Sequence, residues 1–94
     1  KLYFSVALIL MTSISFGQKA STYIDSLEEV IQHQKGLEKA INQRSISISY
    51  FNRSIYNKSL IHSIEALNYF DENGLDSNAM HIHLILGAIY EAIN

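Results

Sequence analysis

Four histidines and nine carboxylates are the residues of this chain whose types and spacing could do chemistry. His81 and His83 have the look of a metal pair. On a helix, however, residues two apart point about 200° away from each other, so the two imidazoles do not converge on one ion. No third ligand stands at helical spacing from either, and they read as polar histidines on a helix face. Glu29 and His33 are four apart and meet on one face as an ordinary surface pair of small energetic weight. His62 and Glu65 have the same status. Acid–base catalysis wants carboxylates pushed up by an apolar pocket, whereas the acidic residues here are scattered over turns and polar faces.

Other chemistries are excluded more directly. The chain has no Cys, which rules out disulfides, thiolate metal ligands and thiol nucleophiles. It carries no nucleophile motif, no glycine-rich phosphate loop and no dinucleotide fingerprint. No cofactor is expected, and the chain reads as a binder without catalytic groups. The net charge is −2, and it becomes −3 without residues 1–17, which contain one Lys. A weakly acidic chain without a basic cluster makes a poor nucleic-acid binder, because phosphate contacts dominate that affinity. Asn52-Arg53-Ser54 and Asn57-Lys58-Ser59 match the glycosylation sequon, a weak signal in an Asn/Ser-rich chain.

The elements that would position any site are helices. With 94 residues, no Pro, four Gly and 48% hydrophobic residues, the chain favours one small domain of long, uninterrupted helices with a buried core. Residues 1–17 form a different unit. Lys1 is a short positive n-region, Leu2 to Met11 an apolar h-region, and Ser15-Phe16-Gly17 a small-x-small cleavage site. This reads as a signal peptide, so export to the periplasm or cell envelope is expected, with Gln18 as the first mature residue; the alternatives are an uncleaved membrane anchor and a buried first helix.

Residues 18–36 read as an N-terminal capping helix. Thr22 is its N-cap with Asp25 completing a capping box, Tyr23, Ile24, Leu27, Val30 and Ile31 form its apolar stripe, and Gly36 ends it. A second helix is expected from about Leu37 to Arg53, with Leu37, Ala40, Ile41, Ile48 and Phe51 on its apolar face. Within it Ser45 to Tyr50 alternates with period two, a strand signal, but no partner strand or hairpin turn occurs elsewhere in the chain. A third helix runs from about Asn57 to Glu72 on the stripe Leu60, Ile64 and Leu67. Gly74 is placed to take a left-handed conformation after it. Asp76-Ser77-Asn78 supplies N-cap candidates for a fourth helix through Met80, Leu84, Ile89 and Ile93.

The chain repeats. A shift of about 40 residues aligns Ile46 with Leu86, Ser47 with Gly87, Ile48 with Ala88 and Tyr50 with Tyr90. The aligned block is apolar, small, apolar, then Tyr. The small residue lets a neighbouring helix approach closely, and the Tyr fills the gap to the next helix pair.

On these residues the chain resembles the tetratricopeptide repeat family. The first-helix pattern Leu-Gly-x-x-Tyr is seen as Leu86-Gly87-Ala88-Ile89-Tyr90 and, more weakly, as Ile46-Ser47-Ile48-Ser49-Tyr50. The second-helix pattern is Tyr56-Asn57-Lys58-Ser59-Leu60 followed by Ala66-Leu67. Ser59 stands where Ala is usual, Ser63 where an aromatic is usual, Ser54 at the usual Gly of the turn and Asp71 at the usual closing Pro. The repeat exceeds the family's usual spacing of about 34 residues, with the extra length expected in Asn73 to Ser77.

The resemblance implies an all-α fold of antiparallel helix pairs in a TPR-like α-solenoid, over residues 37–94 after the signal-peptide helix and capping helix. It also implies a concave groove for an extended protein or peptide partner, lined by Arg44, Ile48, Phe51 and Asn52, then His81, Leu84 and Glu91. Only Arg44 and Asn52 among these have the chemistry to hold a peptide backbone or carboxylate.

Solenoid units do not bury their faces alone, and Ile85, Ile89 and Ile93 have no following helix to cover them. The expectation is therefore a fragment: the N-terminal sensory part of a longer exported bacterial signalling protein. By resemblance its output would be a histidine kinase or a helix-turn-helix regulator. Membrane contact would come only through the export signal or a later transmembrane segment. The alternative is a small secreted helical protein that self-associates through its uncovered last helix.

Overall fold

The structure, a computed structural model, describes residues 22–94. The signal-peptide assignment over residues 1–17 lies outside them. The described chain is all-helical: α1 (22–33), α2 (Gly36–Asn52), α3 (Tyr56–Glu72) and α4 (Asp76–Ile93), with no strand among the described residues. The alternating Ser45–Tyr50 segment lies inside α2. Its Ser residues keep helical geometry, and Ser45 and Ser49 return their hydroxyls to the carbonyls of Ile41 and Ser45 one turn back. None of the described helices is long and apolar enough to cross a membrane.

Three helices bury one narrow stripe each: Ala40, Gln43, Ile46, Ser47 and Tyr50 on α2, Ser59, Ser63, Ala66 and Phe70 on α3, and Ala79, Ile82 and Ile89 on α4. These are not the expected apolar faces: Leu37, Ile41 and Ile48 of α2 and Ile64 of α3 are exposed and Phe51, Leu60 and Leu67 only half-buried, because the close α2/α3 contact is made by small and polar residues. Two apolar clusters result. Ile24 and Ile31 of α1 meet Ile46 and Tyr50 of α2, with Leu27 and Ile55 beside them. Ala40, Ala66, Phe70, Ala79 and Ile82 join α2, α3 and α4. Phe70, Ile46, Ile82 and Ile89 are fully buried, each contributing about 1.5–3 kcal/mol of apolar transfer. Ile89, expected to lack a cover, is inside the core. Ile85 is half-buried and Ile93 is exposed, and Met80, Leu84 and Tyr90 are exposed on other sides of α4.

The two hairpin turns have one design. After α2, the Ile55 N–H donates to the Tyr50 carbonyl (2.9 Å) and the Ser54 N–H to that of Phe51 (2.9 Å). After α3, the Leu75 N–H donates to Phe70 (2.9 Å) and the Gly74 N–H to Asp71 (3.3 Å). This is a Schellman closure with a left-handed residue before the last donor, Ser54 at φ 62° and Gly74 at φ 67°. The apolar Ile55 and Leu75 then pack against the clusters that hold Tyr50 and Phe70.

Two expectations are corrected here. The fourth helix is capped by Leu75 without a side-chain hydrogen bond, so Asp76, Ser77 and Asn78 lie inside its first turn rather than at its cap. The long repeat does not come from an extended loop between the third and fourth helices. Both α2 and α3 span 17 residues. Connections of equal length, 53–55 and 73–75, follow them, so the helices themselves carry the extra residues.

Candidate functional site

Positions rise along α2 as they fall along α3, as antiparallel packing requires. Gln43 bonds Glu65, Ser47 meets Ser63 and Ser59, and Tyr50 stacks on His62. The Ser47 hydroxyl donates to the Ser59 carbonyl (2.9 Å), the Ser59 hydroxyl to the Ser47 carbonyl (2.8 Å), and Ser63 Oγ touches Ser47 Oγ. All three serines are fully buried. Each hydroxyl has one proton, and a consistent assignment lets Ser63 donate to Ser47 Oγ, leaving no orphan. Ser59 and Ser63 are two of the positions where the sequence departs from the pattern it resembles, and here their small size admits a close helix contact.

A second polar cluster ties α1 to this hairpin. The Tyr50 hydroxyl donates to Glu28 Oε1 (2.7 Å), and His62 Nε2 lies 2.9 Å from the same oxygen. A carboxylate only accepts, so Nε2 carries the proton. The opposite ring nitrogen, Nδ1, is buried without a hydrogen-bond partner among the described residues. Tyr50 and His62 stack with centroids 5.9 Å apart, and Lys58 Nζ sits 5.5 Å from the Tyr50 ring centre. Burial alone would raise the Glu28 carboxyl. The bonds from Tyr50 and His62, with the nearby charges of His62 and Lys58, outweigh burial and leave it below its ordinary value. Burial, then the bond to Glu28, pushes the Tyr50 phenol up. With Asp25 and Ile61, these residues line an open cleft of about 370 Å³.

His62 therefore pairs with α1 rather than with Glu65, which instead bonds Gln43. Helical spacing within one element gives no sign of either partner, because Glu28 lies 34 residues from His62 and Gln43 lies 22 from Glu65. Glu29 and His33 are 4.0 Å apart and exposed. His81 and His83 are both exposed. No group of three His, Asp or Glu side chains able to hold a metal ion occurs among the described residues.

The residues expected to line a groove are divided by the fold. Ile48 and Phe51 of α2 meet Leu84, Ile85 and Ala88 of α4 around an apolar cleft of about 260 Å³. Arg44 lies one turn before Ile48 on α2, and its Nη1 donates to Asn78 Oδ1 of α4 (3.1 Å), bridging the same two helices. Asn52 lines a separate hollow with Tyr23, Ile24, Ser49 and Arg53 at the α1/α2 junction. His81 is exposed on α4 and does not line the apolar cleft.

The repeat-signature residues divide similarly. Ile46, Ser47, Tyr50 and Ala66 are buried, while Tyr56, Leu60 and Leu86 are half-buried. Gly87 and Tyr90, the counterparts of Ser47 and Tyr50, are exposed. Comparison of the chain with protein-family models, with curated proteins and with solved structures returns no match.

Proposed function

We propose that this chain is a protein–protein interaction module of TPR-like helical hairpins that takes an extended apolar peptide in the seam between α2 and α4. The observation that carries the reading is the cleft formed by Ile48, Phe51, Leu84, Ile85 and Ala88. It is apolar and contributed by two helices, α2 and α4, that are not consecutive in the chain. Leu84 is 68% exposed and Ile48 43%, so apolar surface faces solvent where a partner could cover it. None of the five lining residues is titratable, which fits binding rather than catalysis. Arg44, held by Asn78 beside the cleft, offers a guanidinium to a peptide carbonyl or carboxylate.

Two buried apolar side chains contribute only about 3–6 kcal/mol before the costs of association, which bounds the affinity from this cleft alone at about 40 µM or weaker. By the resemblance, the module is the sensory, N-terminal part of an exported bacterial signalling protein in the periplasm or cell envelope. Random peptides displayed on phage and selected on the 94-residue chain test the binding reading. Selected sequences should carry bulky apolar residues and lose binding to Leu84→Asp. Equal binding to that variant would remove the cleft from the account.

A second reading, a secreted helical protein that self-associates, is favoured by one observation. Met80, Tyr90 and Ile93 expose apolar surface on one helix, α4.

A further inference from the structure

Asn73 precedes Gly74 in the turn between α3 and α4, and both are exposed. In an Asn-Gly pair the following backbone nitrogen reaches the Asn side-chain amide with no Cβ in its way. Asn42, Asn52, Asn57, Asn68 and Asn78 lie within α2, α3 and α4, and each is followed by a residue that has a side chain. The turn is closed by three N–H groups that donate back into α3: Asn73 to Tyr69 (3.2 Å), Gly74 to Asp71 (3.3 Å) and Leu75 to Phe70 (2.9 Å). The Gly74 bond is the longest of the three, so the nitrogen next to the Asn73 amide is the least firmly held. Asn73 also donates its Nδ2 to the Tyr69 carbonyl (2.8 Å). Asp71, Glu72 and Asp76 flank the pair in sequence, and the last turn of α3 has no basic residue.

We propose that Asn73 is a site of spontaneous deamidation and that its conversion loosens α4 from the α2/α3 hairpin. When the turn opens, the Gly74 nitrogen leaves the Asp71 carbonyl and attacks Asn73 Cγ. The N–Cγ bond forms, the Cγ–Nδ2 bond breaks, and ammonia departs with the Gly74 proton, leaving a five-membered succinimide. Water then opens the ring. Cleavage at Cγ gives aspartate, and cleavage at the main-chain carbonyl gives isoaspartate, whose backbone runs through Cγ and is one methylene longer. Either product loses the donor to Tyr69 and places a new carboxylate at the negative end of α3, beside Asp71, Glu72 and Asp76. In isoaspartate the added methylene also breaks the register in which Leu75 closes on Phe70. Leu75 packs against the cluster of Phe70, Ala79 and Ile82, so a displaced turn loosens the first half of α4.

Ageing the 94-residue chain in mildly alkaline buffer, with peptide mapping by mass spectrometry, tests the site. Asn73 should convert at least about tenfold faster than the five helical asparagines, whose following N–H groups open less often. Both aspartate and isoaspartate should appear at position 73. The aged chain should melt a few degrees lower than the fresh one and exchange its α4 amides faster. Asn73→Gln, whose longer side chain closes a ring far less readily, should keep its own fresh melting temperature through the same ageing. That variant separates conversion at position 73 from any other ageing of the chain. Conversion of Asn73 no faster than that of the helical asparagines overturns the proposal. So does a converted chain whose melting temperature and α4 exchange equal those of the fresh chain, or an equal loss in aged Asn73→Gln.

Discussion

Ser47 and Ser59 exchange hydrogen bonds across the α2/α3 interface, each hydroxyl donating to the other's backbone carbonyl at 2.9 and 2.8 Å. The contact is possible only because both side chains are small. Ser47→Ala strands the Ser63 hydroxyl and should cost about 1–2 kcal/mol in urea unfolding. Ser63→Ala strands no buried donor and should cost less than Ser47→Ala. Ser47→Val keeps the helices apart and should cost the most, about 2–3 kcal/mol or more. Equal costs for all three would show that the hydroxyls do not hold the interface.

The Glu28 cluster makes the docking of α1 dependent on pH. Its carboxyl lies below the ordinary value of 4.5 in the folded chain. The stability it contributes is therefore full above about pH 4.5 and is lost as pH falls through the lower folded value. The Tyr50 phenol lies above its ordinary value of 10.0. Its contribution is full below about pH 10 and is lost as pH rises through the higher folded value. Hydrogen exchange of α1 amides should show protection decreasing at both ends. Glu28→Gln should cost about 1 kcal/mol at neutral pH, reduced because the side chain is 34% exposed, and should flatten the acid limb. Tyr50→Phe should flatten the alkaline limb. Unchanged profiles in both variants would remove the cluster from the docking of α1.

The two hairpin turns make opposite predictions for one kind of exchange. Ser54 holds a left-handed conformation at φ 62°, strained for a residue with a Cβ, and Gly74 holds φ 67° without strain. Ser54→Gly should leave the chain equally stable or raise it by up to about 1 kcal/mol, and Gly74→Ala should lower it by about 1 kcal/mol. Thermal melts of the two variants measure the difference. A loss in Ser54→Gly as large as that in Gly74→Ala would contradict the shared turn geometry.

The helices and the left-handed role of Gly74 were legible because each is local. The runs of helix and the Asp71–Gly74 turn follow from spacing along the chain. The buried stripe of α2 does not: of the expected face Leu37, Ala40, Ile41, Ile48 and Phe51 only Ala40 is buried, and Gln43 and Ser47, polar residues that apolar spacing passes over, lie inside instead. The bond of Glu28 to His62 and that of Gln43 to Glu65 were not legible either. Both join helices 22 or more residues apart, and no periodicity within one element points to them. The cap of α4 was misplaced for a related reason. Asp76, Ser77 and Asn78 are good capping types, but the Schellman closure that ends at Leu75 leaves no room for an extended cap residue after it. Ile48 and Leu84, expected on one groove, line one cleft, whereas Asn52, one turn beyond Ile48 on α2, lines a hollow with Tyr23 and Ile24 of α1.

The most direct test of the central claim is a ¹H–¹⁵N titration of the 94-residue chain with a selected apolar peptide. We expect the largest shifts at Ile48, Phe51, Leu84, Ile85 and Ala88, and loss of those shifts in Leu84→Asp, whose melting temperature should stay close to that of the unsubstituted chain because Leu84 is exposed. Shifts centred on Asp25, Glu28 and Lys58, or shifts that persist in Leu84→Asp, would contradict the account.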